Sequence, residues 1–194
     1  MGLPMPHIPG HEPVGTIAAI GDNAAQRWGV DVGDRVAVET LLACHICPRC
    51  LSGDYHLCPQ RQVYSTMPVD KEHGLWGAYA NYMFLDSRTI VHKIDPNIPA
   101  TTAAMFNPLG AGFRWAVEIP GTKLGDSILI MGPGQRGLAA VIAAKAVGAA
   151  QIIVTGLEAD ADKMKLAKLY GATHTIDIQN ENAKSRIKEM TQGA

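Results

Sequence analysis

The sequence predicts a two-part α/β chain: an antiparallel β domain that carries a four-cysteine metal lobe, followed by a doubly wound parallel sheet. Three observations predict it. All four cysteines of the 194-residue chain, Cys44, Cys47, Cys50 and Cys58, fall in one short run. The stretch from Pro13 to about Ile90 is rich in Gly, Pro and short β-branched runs, whereas from Pro99 onward strand-like and helix-like segments alternate. Between the first of those later strands and its helix lies a glycine turn, Gly132-Pro133-Gly134-Gln135-Arg136-Gly137.

In the first part, VGTIAAIG, GDRVAVET and GAYANYMFL read as strands, with GDN and VGD as turn clusters between them. The cysteine loop interrupts this region between Leu41 and Pro59. Four thiolates at CxxCxxC spacing with a fourth partner nearby match the tetrahedral demand of Zn²⁺. A closed Cys₄ shell leaves no open coordination position, so the metal is read as structural. A pair of disulfides is the competing reading, but no signal peptide precedes the cluster, and disulfide scaffolds are smaller and richer in Cys. A redox CxxC pair would leave two thiols at ligand spacing without a role. With four sulfurs filling the shell, His45 and His56 are expected on the loop surface rather than as ligands. His7, His73, His92 and His174 carry no functional expectation.

From Pro99 the texture changes. PATTAAMFNPLGAGFRWAVE carries apolar residues at helical intervals, with Thr101 or Thr102 as N-cap and Pro108 kinking or splitting the segment into a helix pair. DSILIMG then reads as a buried parallel strand, GLAAVIAAKAVGA as a helix and QIIVTG as a second strand. DADKMKLAKLYGA reads as a helix ending at Gly171, THTIDI as a third strand and ENAKSRIKEMTQ as a third helix. The expected domains are 1–97 and 98–194.

The GxGxxG pattern stands where it has meaning, between a strand and a helix. Gly132 permits the tight turn, Gly134 lets backbone approach a pyrophosphate, Gly137 lets helix and strand pack closely, and the amides of Gln135 and Arg136 open the helix toward the phosphates. A dinucleotide is the implied ligand; the competing reading is a glycine-rich turn that binds nothing. An acid at the end of the second strand would accept from the adenosine ribose of NAD, and a nearby Arg would favour NADP. Glu158 is the candidate acid, although it lies two residues past Gly156 and could point outward, as Asp160 and Asp162 are expected to. No Arg occurs in this stretch, which tilts the reading toward NAD over NADP.

Composition narrows the partners. Seventeen Lys and Arg against eighteen Asp and Glu give a net charge of -1, which supplies no electrostatic footprint for nucleic acid or an anionic membrane. The longest apolar stretches, such as 138–144 and 149–154, are far shorter than a bilayer span. Reduced, metal-ready cysteines without a secretory start point to the cytoplasm.

A GHE motif at Gly10-His11-Glu12, the GDRV at Gly33 to Val36, the Cys₄ lobe with GDYHLCP, GLWGAYANY and the GPGQRG turn occur in one order. Together they resemble the zinc-dependent medium-chain alcohol dehydrogenase family over nearly the whole chain. The resemblance implies a GroES-like domain carrying both metals and a Rossmann domain carrying NAD(P). It also implies hydride transfer between a small-molecule alcohol, or the corresponding carbonyl, and the nicotinamide, in a protein that forms homo-oligomers. In that family a catalytic Zn²⁺ takes a cysteine upstream of GHE, the GHE histidine and a Cys or Glu near the bridging helix. Here His11 matches, the upstream cysteine is absent, and Asn107 in Asn107-Pro108-Leu109 takes the third position; Glu12 could substitute as ligand or support one.

The resemblance further implies that the chain starts inside the β domain and stops midway through the nucleotide fold. The run Ser127 to Met131 is then expected to present an unpaired parallel-sheet edge, and the chain alone to have little or no turnover. Two other readings stay open: a medium-chain reductase lacking the catalytic zinc, and a non-catalytic zinc-stabilised nucleotide-binding module.

Overall fold

Strand β1 (Val14–Thr16) pairs antiparallel with β2 (Arg35–Val38), which pairs antiparallel with β5 (Val91–Lys93) on its other side. A second, two-stranded ladder joins β3 (Leu41–Leu42) to β4 (Gln62–Val63) and closes the neck of the cysteine loop. The computed structural model from which these elements come describes residues 5–193. Its chain divides into two compact units, Met1–Phe106 and Asn107–Ala194.

In the first unit the RVAV run of β2 is central, with Val36, Ala37 and Val38 buried. Val36 and Val38 pack with Ile17, Val30, Leu42, Tyr64, Met67 and Trp76. Two expectations are corrected. The GDN cluster is the start of helix α1 (Asp22–Trp28): Asp22 favours the positive helix N-terminus, and Gly29, at φ 65, closes the helix by donating to the Ala25 carbonyl. The GAYANYMFL segment is extended but forms no strand. Its amides bond outside any ladder, Ala78 and Tyr79 donating to the Gly10 and Pro9 carbonyls and Phe84 to that of Leu75. A cleft lined by Ile17, Ala19, Tyr82 and Phe84 separates it from β1, so no ladder partner is within reach. Trp76 is a core residue, 2% exposed, with its indole N–H on the Glu72 carbonyl.

The helical segment after Pro99 is split as Pro108 requires, into α3 (Ala100–Ala103) and α4 (Phe106–Phe113), with Pro108 in the first turn of α4 where its missing N–H costs no helical bond. Pro99, not Thr101 or Thr102, holds the N-cap position of α3; both threonines lie inside the first turn. A π-helical turn, Arg114–Glu118, continues α4.

The second unit follows the expected alternation. Strands β6 (Ser127–Met131), β7 (Gln151–Gly156) and β8 (His174–Asp177) are parallel in the order β6-β7-β8. Helices α5 (Gln135–Ala146), α6 (Ala161–Tyr170) and α7 (Ala183–Met190) follow the strands in turn. Central β7 is the hydrophobic spine: Ile152, Ile153 and Val154 are buried almost completely, worth about 2 to 3 kcal/mol each by area. The alanines of α5, Ala139, Ala140, Ala143 and Ala144, are buried and let the helix lie close. α4 comes nearer still: a Cβ on Gly112 would stand 2.6 Å from the Ala139 carbonyl. At the sheet edge β6 is half open, with Met131 83% and Leu129 43% exposed. Ser127 to Met131 is thus the edge that the sequence anticipated.

Candidate functional site

The four cysteines are brought together by a short local path. After β3 the chain turns at His45, with φ 60, into helix α2 (Pro48–Leu51), which Cys47 caps and which carries Cys50. A 3₁₀ turn, Tyr55–Leu57, then delivers Cys58, which is buried. All four sulfurs lie within 4.8 Å of one another, and Cys50 stands 3.9 Å from Cys44 and 3.5 Å from Cys47, sulfur to sulfur. A tetrahedron of Zn–S bonds has edges of about 3.8 Å, so the donor set fits Zn²⁺; disulfide bonding would need sulfurs about 2 Å apart. The thiols share charge unevenly. The backbone amide of Ile46 holds the Cys44 thiol down to about 6, while burial pushes the Cys50 thiol up to about 12. A divalent cation relieves this mismatch by displacing the protons of all four.

Two contacts fasten the lobe to the domain, and the sequence concealed both. The Tyr55 hydroxyl donates to the Glu39 carboxylate at 3.0 Å, and Nε2 of His45 lies 2.8 Å from the Arg88 carbonyl. His45 is therefore half-buried and structural rather than loop surface, whereas His56 is exposed as expected. Neither partner could be picked out by spacing, because Tyr55 and Glu39 are 16 residues apart and His45 and Arg88 are 43 apart.

The glycine turn shows three different demands. Gly132 takes φ 95, which side-chain-bearing residues rarely adopt. A Cβ on Gly137 would fall 2.0 Å from the Gly132 carbonyl oxygen, so this glycine is required by packing. Gly134 is different: its φ is -69 and a Cβ there would meet no protein atom within 4 Å. Nothing in the protein needs glycine at that point, and a bare backbone at the N-terminus of a twelve-residue helix is a cradle into which a phosphate fits. Gln135 and Arg136 open α5, whose first turn contains no acid.

At the far end of β7, Gly156 packs against the turn, its absent Cβ leaving room for Pro133 and Met164. Glu158 is exposed in a 3₁₀ turn, Glu158–Asp160, with its amide donating to the Gln179 side chain at 3.0 Å. Asp160 and Asp162 are occupied by Lys163 and Lys165, each at 2.8 Å. Among the described residues Glu158 has no such ion pair, so its carboxylate is the free one of the three.

His11 is exposed and Glu12 half-buried in the loop before β1. Among the described residues, the only group of three or more His, Cys, Asp or Glu side chains that could hold a metal is the cysteine cluster. Asn107 is half-buried in the first turn of α4, in the second unit.

Residues 1–96 match the family model of the alcohol dehydrogenase GroES-like domain, and residues 137–194 match that of the zinc-binding dehydrogenases. The chain belongs to the zinc-type medium-chain alcohol dehydrogenase family. It is similar to a Mycobacterium tuberculosis protein named "Probable alcohol dehydrogenase adh", 47% identical over 96% of this chain and 52% of that protein. It is also similar to the sorbitol dehydrogenase of Bacillus subtilis, 42% identical over 96% of this chain and 49% of that protein. An alcohol dehydrogenase from Thermotoga maritima superimposes with a TM-score of 0.86 at 28% identity, over 98% of this chain and 54% of that one. The chain thus spans about half the length of the medium-chain relatives it matches. The matches fit a GroES-like plus Rossmann-type medium-chain dehydrogenase fold. No helix among the described residues is long and apolar enough to cross a membrane.

Proposed function

We propose that the protein is a zinc-dependent NAD(P) oxidoreductase of the alcohol or polyol dehydrogenase type, and that this chain supplies its structural-zinc lobe and the adenosine-side half of its nucleotide site. The GroES-like part is taken as 1–97 and the Rossmann part as 98–194. The observation that carries this reading is Gly134, a glycine that no protein contact requires, at the mouth of the helix that follows β6. Bound nicotinamide would supply the hydride acceptor or donor, and the substrate is a small alcohol or its carbonyl.

Each group has a proposed part. Cys44, Cys47, Cys50 and Cys58 hold Zn²⁺ and so fix the loop that β3 and β4 close. The turn at Gly132, Gly134 and Gly137, with the amides of Gln135 and Arg136, binds the pyrophosphate. Glu158 accepts from the adenosine ribose, and its negative charge beside the strand end favours NAD over NADP by repelling a ribose phosphate. His11, Glu12 and Asn107 are the share of the reacting centre that this chain carries. One imidazole, one carboxylate and one neutral amide fall short of the three thiolate, imidazole or carboxylate donors of a catalytic zinc. No step is therefore assigned to a second metal here, and the chain alone is expected to turn over little or no alcohol. Asn107 also keeps a reductase without catalytic zinc as the second reading. A cytoplasmic, homo-oligomeric enzyme is the setting that this reading implies.

Calorimetric titration of the chain with NAD⁺ and NADP⁺ tests the proposal. Saturable binding of either, with NAD⁺ tighter, is the expected result; absence of binding at millimolar concentrations removes the dinucleotide reading.

A further inference from the structure

We infer that Arg136, held against the face of Trp115, is a diphosphate-binding residue of the nucleotide site, and that Trp115 is the residue that positions it. The inference rests on the dinucleotide reading above and adds to it a side-chain contact and a readout.

The guanidinium of Arg136 lies 4.9 Å from the centroid of the Trp115 ring. Trp115 sits in the π-helical turn that continues α4, a local irregularity of the kind that collects at functional sites. That turn is pinned to α5: Ala116 is buried in the same core as Ala140, Val141 and Ala144, and Gly112 meets the backbone of Ala139. The indole therefore stands at a set place beside the helix that begins at Gln135, although 52% of its surface is exposed. Part of the exposed ring is covered by the Arg136 guanidinium.

The electrostatics point the same way. Arg136 forms no ion pair or hydrogen bond among the described residues. The nearest acid on the π-helical turn, Glu118, is taken by Arg114 at 2.9 Å, and the first turn of α5 has no acid. A guanidinium held over an aromatic ring, with no carboxylate partner, keeps its N–H donors for an anion. The adjoining element is the Gly134–Gln135 backbone, whose open amides already favour an anion. Helix N-terminus and guanidinium together suit a diphosphate, which can take the amides on one phosphate and the fork on the other.

The test is calorimetric titration of the chain with ADP and with AMP, repeated on Arg136→Gln, Trp115→Ala and Trp115→Phe, with tryptophan emission followed in parallel. Arg136→Gln is expected to weaken ADP by about tenfold and AMP by much less, so that the preference for the second phosphate collapses. Trp115→Ala should lose part of that preference, about threefold, and Trp115→Phe should restore it, because a phenyl face still covers the guanidinium. ADP should change the emission of the parent chain, and the change should vanish in Trp115→Phe, where Trp28 and Trp76 remain. An ADP to AMP ratio that is unchanged in Arg136→Gln, with the parent still binding ADP, overturns this inference and leaves the dinucleotide reading intact. A parent chain that binds neither ADP, NAD⁺ nor NADP⁺ removes both.

Discussion

The Tyr55 hydroxyl donates to the Glu39 carboxylate at 3.0 Å, and through this bond the 3₁₀ turn that delivers Cys58 is tied to the chain just beyond β2. Glu39 is well supplied, since its other oxygen also accepts from the Leu41 amide at 3.1 Å. Burial, followed by the Glu39 charge, pushes the Tyr55 phenol up to about 12. The folded chain therefore binds this proton more tightly than the unfolded chain. The contribution of this phenol to stability is constant below about pH 10 and falls as pH rises from there toward about pH 12. Tyr55→Phe should cost about 1 kcal/mol, because the Glu39 carboxylate keeps its Leu41 bond through the other oxygen, and should remove that group's alkaline loss. Melting curves recorded from pH 8 to 12 on both proteins read this directly.

Metal analysis should find a single Zn²⁺ per chain, held by the cysteines, and Cys47→Ser should lower it sharply. Chelation of the parent should open the segment between β3 and β4 to proteases, while the parallel sheet of the second unit stays protected, because the lobe has metal rather than a core of its own. A second equivalent of zinc that survives in Cys47→Ser would instead place a metal at His11 and Glu12.

Gly134 and Gly137 make a paired prediction. Gly137→Ala drives a methyl into the Gly132 carbonyl and should destabilise the second unit by about 2 to 3 kcal/mol, seen as a lower urea midpoint. Gly134→Ala meets no protein atom, so its midpoint should move by less than about 1 kcal/mol while NAD⁺ binding weakens by about tenfold or more. Equal losses of stability in the two variants would sink the claim that Gly134 is glycine for a ligand.

Met131 and Leu129 lie exposed on the open edge strand β6. An apolar edge with unpaired backbone is a pairing template, so the chain should self-associate as its concentration rises. Met131→Lys and Leu129→Lys should shift the population toward monomer in light scattering. A monodisperse parent that melts cooperatively at high concentration would show that the edge is inert.

Much of the fold was legible because it rests on local rules. The alternation of β6, α5, β7, α6 and β8 follows from apolar runs and from periodicity with glycine stops, and Gly171 ends α6 where the sequence placed it. The first part was read less well. GDN reads as a turn because Gly, Asp and Asn favour turns, yet the same residues start α1, since Asp22 suits a helix N-terminus equally. GAYANYMFL alternates like a strand, but pattern cannot supply the neighbour that a strand needs.

By itself the sequence determined the metal-ligand cluster, the strand-turn-helix around Gly132 to Gly137 and the alternation of strands and helices in the second unit, because each depends on residues close together in the chain. Only the tertiary structure decided that Gly134 is open while Gly137 is closed on Gly132. It alone brought His45 to Arg88, Tyr55 to Glu39 and Trp115 to Arg136. Those contacts join separate elements, and they exist only once packing has set the distance and angle between them, which no spacing along the chain encodes.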